Sequence, residues 1–312
     1  MKFLVTGGAG FIGSNIVEEL LQRGNTVRVL DNFATGKREN LKDFTKDIDL
    51  IEGDIRSFHI VQQAVKGIDV ILHQAALPSV PRSIKDPITS NEVNVVGTLN
   101  ILEASKDAGV KRVVYASSSS VYGDNPELPK HEGMIPNPLS PYAVSKLAGE
   151  KYCSVYSRLY GIETVALRYF NVFGPRQDPN SQYSAVIPLF IKAIMNDKQP
   201  IIFGDGKQSR DFTYVANVVE ANILAATKDV ESGLVMNCAC HGQITLNSLV
   251  HELNVLLDKD IKPFYADKRP GDILHSFADI TKIQHELGFN PKVDFNIGIR
   301  MTLTSFQKVV QV

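Results

Sequence analysis

Cysteine is scarce, with three residues in 312: Cys153, Cys238 and Cys240. They are too few and too clustered for a disulfide framework, and the Cys-Ala-Cys run has no further Cys or His at zinc-ligand spacing. A disulfide-stapled fold and a structural zinc site are thereby excluded, no metal is expected, and the three read as buried apolar residues. No apolar stretch has membrane-spanning length, no internal repeat exceeds one strand-helix unit, and no low-complexity linker divides the chain. Charge of one sign is also missing: 33 Lys and Arg face 34 Asp and Glu, for a net charge of −1 without segregated runs. Neither nucleic acid nor an anionic membrane is an expected partner. The chain opens on an apolar strand-like run at 2–7 with no charged leader, which sets the expectation of a cytoplasmic protein.

What is present is enough apolar content, 44 %, for a sizeable core in one large or two unequal domains. The first strand runs into Thr6-Gly-Gly-Ala-Gly-Phe-Ile-Gly13, and an amphipathic helix is predicted over 12–23, stopped by Gly24. Glycines at 7, 10 and 13 between a strand and a helix let backbone N–H groups approach a dinucleotide pyrophosphate at the helix N-terminus. A second strand is predicted over 26–30, and Asp31 stands at its end, close to the offset at which a carboxylate binds the adenosine ribose. A carboxylate there repels a 2′-phosphate, so NAD is expected rather than NADP, with Lys37 and Arg38 as the opposing signal.

Further strands are predicted over 49–53, ending in Asp54-Ile55, and over 70–72, ending in His73-Gln-Ala-Ala76. The small residues there suit a backbone passing close to a flat cofactor, and His73 reads as a satisfied strand-end histidine. A long helix over 91–108, a strand over 112–116 leading into Ser117-Ser-Ser-Ser120, a helix over 142–160 and a strand over 164–169 complete the pattern. This alternation predicts an α/β, doubly wound parallel sheet with ligand at the carboxyl ends of the strands.

Ser140-Pro-Tyr-Ala-Val-Ser-Lys146 opens the helix over 142–160, with Ser140 as N-cap and Pro141 at the first helical position. Tyr142 and Lys146 then share one helix face. A free phenol titrates near about 10, and both the ammonium and the helix N-terminus favour phenolate, which makes Tyr142 a candidate general base. After Phe170 the pattern loosens into a loop at 171–175, helices over 184–195, 246–257 and 279–287, and polar loops at 204–211 and 268–272. This part reads as a smaller carboxyl-terminal domain over the strand edge, in which Arg210 and Arg269 are candidates to clamp a second diphosphate. The expected division is 1–168 with about 212–240 for the cofactor, and about 169–211 with 241–312 for the substrate.

The chain resembles the extended short-chain dehydrogenase/reductase family over essentially its full length, and within it the nucleotide-sugar 4-epimerases. Beyond the motifs above, the resemblance rests on Ser117 to Gly123, Arg168-Tyr-Phe-Asn-Val-Phe-Gly174, Ser209-Arg-Asp-Phe212 and Arg269-Pro-Gly-Asp272. Segments 77–83, 86–91 and 176–180 are similar to those of UDP-N-acetylglucosamine 4-epimerases, including enzymes that prefer the uronic acid, with one departure at Pro78.

The resemblance implies a Rossmann-like fold with a smaller carboxyl-terminal substrate domain and tightly bound NAD. It makes Tyr142 the base at the sugar 4-hydroxyl, Lys146 the holder of the cofactor ribose and Ser118 the hydroxyl sharing the 4-hydroxyl, with Ser119 and Ser120 unranked behind it. Cofactor contacts would come from Gly7, Gly10, Phe11, Ile12, Gly13, Asp31, Asn32, Gly36, Asp54, Ile55, Gln74, Ala75, Ala76, Asn94, Tyr142, Lys146 and Tyr169. Substrate contacts would come from Ser79, Arg82, Ser118, Ser119, Ser120, Asn171, Val186, Arg210, Arg269, Asp272 and Ser276.

The same resemblance separates reactions and sugars. Dehydratases and decarboxylases of the family carry an acid where this chain reads Ser119-Ser120, and hydroxyls are poor acids for expelling a leaving group, so epimerisation is expected. Ser276 aligns with a gate beside the sugar 2-substituent, where serine leaves room for N-acetyl. The implied reaction is interconversion of UDP-N-acetylglucosamine and UDP-N-acetylgalactosamine, with UDP-glucose and UDP-galactose also admitted. UDP-glucuronate or UDP-N-acetylglucosaminuronate, with Arg82 as the cation near C6, remains an alternative. So does an NAD-binding regulator without catalysis. A homodimer through a four-helix bundle of the helices over 91–108 and 143–160 is the implied assembly.

Overall fold

The computed structural model describes residues 1–179, 185–268 and 274–310, with side chains to 307. Apolar alternation in the amino-terminal half builds six strands: β1 (Lys2–Thr6), β2 (Thr26–Asp31), β3 (Ile48–Glu52), β4 (Val70–His73), β5 (Arg112–Ser118) and β6 (Glu163–Tyr169). With a strand at Leu234–Cys238 they form one parallel sheet, in the spatial order Leu234–Cys238, β6, β5, β4, β1, β2, β3. The order reverses between β1 and β4, and a crevice opens beyond the carboxyl ends at that switch point.

Period-two burial puts neighbouring residues into different cores. From β1, Phe3 and Val5 enter the core shared with α1 (Phe11–Gln22) and the helix Val215–Thr227. Leu4 enters the core on the other face, with Ile101 and Leu102 of the helix Gly97–Ala108 and Cys153 and Tyr156 of the helix Pro141–Tyr160. The fold is therefore the Rossmann-like, doubly wound sheet that was expected.

The long helix predicted over 91–108 is three pieces: Pro87–Asn91, a π-helical turn at Glu92–Val96, and Gly97–Ala108. Asn94 in the π turn is buried, its Oδ1 accepting from the Leu77 N–H at 2.8 Å and its Nδ2 donating to Ser145 Oγ at 3.0 Å. A widened turn lets that polar side chain face inward. The helix Pro141–Tyr160 begins as expected, with Ser140 Oγ accepting from the Ala143 N–H at 3.2 Å, and stops at Gly161, whose φ is 71°.

Beyond this sheet, the described residues form three small ones. Val172–Phe173 pairs with Thr213–Tyr214, and Ile201–Phe203 pairs with Phe264–Ala266. Ser209–Arg210 lies between Ile244–Thr245 and His275–Ser276. The helix expected over 184–195 is Val186–Met195, and the one expected over 279–287 is Thr281–Leu287. Among the described residues no helix is long and apolar enough to cross a membrane.

One ion pair ties the long helix to the sheet. Arg168 of β6 donates from Nε and Nη2 to the two oxygens of Glu150, each at 2.8 Å, with both side chains at most 5 % exposed. Ser117 also donates to Glu150, and the Arg168 guanidinium lies 4.7 Å from the Tyr122 ring centre. Removing one partner strands the other charge in a dry interior. Arg168→Met is expected to destabilise the protein by about 3–5 kcal/mol, read as a lowered denaturant midpoint, whereas the double change Glu150→Leu with Arg168→Met restores much of the loss.

Candidate active site

The glycine motif folds as a backbone cradle. Gly7 has φ +68°, and a Cβ on it would lie 2.8 Å from the backbone of Ala75 at the end of β4. A Cβ on Gly13 would lie 2.1 Å from the Gly7 carbonyl oxygen. Only glycine permits these approaches, and they bring the N-terminus of α1 to the crevice with its free N–H groups outward.

The crevice has a volume of about 350 Å³. Among the residues expected to hold the cofactor, Gly7, Gly10, Phe11, Ile12, Gly13, Asp31, Asn32, Asp54, Ile55, Gln74, Ala75, Ala76, Tyr142, Lys146 and Tyr169 line it. Gly36 and Asn94 do not. Gly36 packs behind the wall, where a Cβ would meet Ala9 at 2.9 Å, and Asn94 acts through its bonds to Leu77. The lining that sequence reasoning missed includes Ala34, Thr35, Arg56, Thr89 and Val93, which follow strand ends or lie on short helices and carry no motif of their own.

At one end Asp31 is buried, its Oδ2 accepting from the Ala9 N–H at 2.9 Å and its Oδ1 from the Phe33 N–H at 2.8 Å. Burial raises its pKa against those two N–H groups. Asn32 donates to Asp54, and Arg56 beside Asp54 holds that carboxyl low, at about 2. In mid-crevice Tyr169 donates to Gln74 Oε1 at 3.0 Å and accepts from Asn222 at 2.7 Å, so the wall is fixed by a polar triad. His73 is buried, with Nδ1 on Thr6 Oγ1 at 2.7 Å and Nε2 on Thr98 Oγ1 at 3.0 Å. Burial and then Lys146 hold it near 3, so it is neutral.

At the other end Tyr142 and Lys146 face the crevice from the first turns of the helix Pro141–Tyr160. Ser118 hydrogen-bonds the Tyr142 phenol, which ranks it ahead of Ser119 and Ser120. Lys146 Nζ donates to the Ala116 carbonyl at 2.8 Å and lies 5.9 Å from the Tyr142 ring centre. The expectation that Lys146 and the helix N-terminus favour phenolate is corrected: burial pushes Tyr142 up to about 12, and the Ser118 hydrogen bond opposes it only in part. Burial also lowers Lys146 to about 8. In each case desolvation disfavours the charged form more than neighbours favour it.

A second crevice of about 300 Å³ is lined by Asn171, Val186 and Arg210 from the expected set together with Phe173, Phe190, Phe203, Gln208, Phe212 and Leu246. Ser276 lines neither crevice but pairs in register with Arg210. Ser79 caps the helix Val80–Lys85, with its Oγ accepting from the Arg82 N–H at 3.4 Å. Arg269 and Asp272 lie outside the described residues.

A glycine cradle at a helix N-terminus, a strand-end carboxylate and a Tyr-Lys pair on one crevice define a dinucleotide-dependent enzyme of the short-chain type. Residues 3–239 match the model of the NAD dependent epimerase/dehydratase family, and the chain belongs to that family. A UDP-N-acetylglucosamine 4-epimerase from Methanobrevibacter ruminantium M1, solved with UDP-N-acetylmuramic acid, is 43 % identical with a TM-score of 0.94, over 100 % of this chain and 99 % of that one. A UDP-glucose 4-epimerase from Thermus thermophilus, solved with NAD, is 40 % identical with a TM-score of 0.90, over 98 % of this chain and 99 % of that one. A putative UDP-glucose 4-epimerase from Methanocaldococcus jannaschii is 39 % identical over 299 residues, 95 % of each chain. NAD is the cofactor of the family, as the strand-end Asp31 suggested, and the glycine cradle fits it.

Lys146 gives a pH test of this site. Its folded pKa lies below the unfolded value, so the unfolded chain binds more protons between about pH 8 and about pH 10.5, and this group makes stability rise with pH there. Lys146→Met is therefore expected to raise the melting temperature of the cofactor-free protein near neutral pH. The advantage narrows as pH rises through that window; melts at two pH values check it.

Proposed function

We propose that the protein is an NAD-dependent 4-epimerase of UDP-sugars acting on UDP-N-acetylglucosamine and UDP-N-acetylgalactosamine. The observation that carries the reading is the Ser118 hydrogen bond to Tyr142, beside the Lys146 ammonium, in the crevice that the glycine cradle also lines. NAD, when bound, supplies the hydride acceptor at C4 and adds positive charge near the phenol. Tyr142 takes the 4-hydroxyl proton and returns it, and Ser118 shares the hydrogen bond to that oxygen. Lys146 holds the local positive charge that phenolate needs. Epimerisation would require the sugar to present both faces of C4 to the cofactor, so the nucleotide half must supply the anchoring. Asn171, Val186 and Arg210 are assigned to it in the second crevice, with Arg269 and Asp272 from the sequence.

The proposed division keeps 1–168 and about 212–240 for the cofactor and the remainder for the substrate. The 43 % identical relative from Methanobrevibacter ruminantium M1 is named for N-acetylglucosamine, and the resemblance makes Ser276, the strand partner of Arg210, a gate beside the sugar 2-substituent; together these favour the N-acetylated sugar. The protein is proposed to form a homodimer. Val144, Val155 and Leu159 on the helix Pro141–Tyr160, and Val96 in the π turn, are between 41 % and 68 % exposed, an apolar face that a second copy covers.

Incubation with UDP-N-acetylglucosamine, UDP-glucose and UDP-glucuronate, followed by proton NMR, tests the sugar: axial H4 becoming equatorial is expected for the N-acetylated substrate. Turnover of UDP-glucuronate alone would overturn that choice. Tyr142→Phe is expected to keep NAD and lose about a hundredfold or more in kcat. Leu159→Glu is expected to shift the dimer to monomer in light scattering.

A further inference from the structure

Asp211 stands in the Ser209-Arg-Asp-Phe212 motif beside a residue assigned to the substrate, yet it has no part in the chemistry above. Its side chain is fully buried. Oδ1 accepts from the Cys240 N–H at 3.1 Å and Oδ2 from the Ala278 N–H at 3.2 Å, and the Gly242 N–H also donates to the carboxylate. The Asp211 N–H donates to the Ser276 carbonyl at 2.8 Å.

These partners share a structural position. Cys240 lies two residues beyond the edge strand Leu234–Cys238, Gly242 two before Ile244–Thr245, and Ala278 two after His275–Ser276. Asp211 itself directly follows Ser209–Arg210. One carboxylate therefore collects the same end of all three strands of the small sheet and fastens them to the edge of the main sheet. His241 adds to the fastening through Nδ1 on the Ala278 carbonyl, at 2.6 Å. That small sheet carries Arg210 and Ser276 side by side. Several N–H groups on one buried carboxylate make a stiff junction, because each bond is charge-assisted and its loss leaves a buried group unsatisfied.

We propose that Asp211 is a positioning residue for the nucleotide sugar. It sets the place of Arg210 and Ser276 relative to the catalytic sheet without touching substrate, cofactor or the reacting atoms. The inference rests on the reading that the second crevice takes the UDP portion. Asp211→Asn keeps the size of the side chain but turns an NH2 toward at least one N–H donor, so the junction loosens while the glycine cradle and the Tyr142 end, which lie elsewhere on the sheet, keep their supports.

The test compares the NAD-loaded wild-type enzyme with Asp211→Asn. UDP binding is measured by calorimetry, kcat and KM by NMR turnover, and NAD content by absorbance. A rise of about tenfold or more in the UDP dissociation constant and in KM is expected, with NAD content and kcat within about threefold. Unchanged UDP binding and KM, or a fall in kcat at unchanged KM, overturns the inference alone. A wild-type enzyme that binds no UDP overturns the underlying reading and this inference with it. Should Asp211→Asn not accumulate as a folded protein, hydrogen exchange of the wild-type enzyme decides: the Cys240, Gly242 and Ala278 amides are expected to exchange more slowly with UDP bound, and unchanged rates overturn the proposal.

Discussion

The close passage of the Gly7 backbone against Ala75 is the constraint on which the site depends. It packs the turn after β1 against the end of β4 at the point where the strand order reverses, and the Gly13 approach to Gly7 sets how tightly α1 follows. The Gly7 N–H is meanwhile tied to the Leu30 carbonyl at 2.8 Å, and the Ala9 N–H to Asp31. A side chain at either glycine would push α1 off the sheet, and the helix N-terminus and the Asp31 carboxylate would lose their common geometry. The crevice is thus made by backbone contact, and side chains only furnish it.

Furnishing it involves a conflict between burial and charge. Tyr142 is held up at about 12 and Lys146 down at about 8, both chiefly by desolvation. Near neutral pH the cofactor-free chain therefore keeps a neutral phenol beside a mostly protonated amine. The step from phenol to base needs a further positive charge or a further hydrogen bond to the oxygen, beyond the one from Ser118. Both shifts have burial as their first cause, so whatever fills the crevice acts on both groups. The same dryness accounts for His73, which burial and the nearby Lys146 charge keep neutral while its two threonine partners satisfy both ring nitrogens.

Local signals were legible in the sequence, because the glycine turn, the Ser140 cap and the Tyr142 and Lys146 spacing each depend on residues a few positions apart. The edge strand Leu234–Cys238 was not, since its run is short and interrupted by Asn237, whose amide bonds to the Lys130 and Asp279 carbonyls. The helix Val215–Thr227 follows a two-residue strand with no capping side chain, so no boundary marked it. The second crevice joins residues from 171 to 246, which no spacing rule connects. The direction of the Tyr142 shift was misread for a related reason: neighbours along a helix are visible in sequence, and what packs over the ring is not. Asp211 shows the same limit, its motif being legible while its partners come from three distant segments.

Cofactor choice joins these levels. Lys37 and Arg38 follow Asp31 closely enough in sequence to suggest attraction for a 2′-phosphate. In the folded chain Lys37 pairs with Asp178 at 2.9 Å, and Arg38 pairs with Glu52 while its guanidinium stacks 4.0 Å from the Phe33 ring centre. Asp31 is pinned from both sides by backbone N–H groups, so its carboxylate is held in one place at the strand end. The local field at that end of the crevice is then set by the fixed acid rather than by the two cations, whose charges are already opposed. One of the opposing acids, Asp178, comes from a distant segment of the chain, so the balance of charge beside Asp31 depends on the tertiary fold and not on the motif that announces the cofactor.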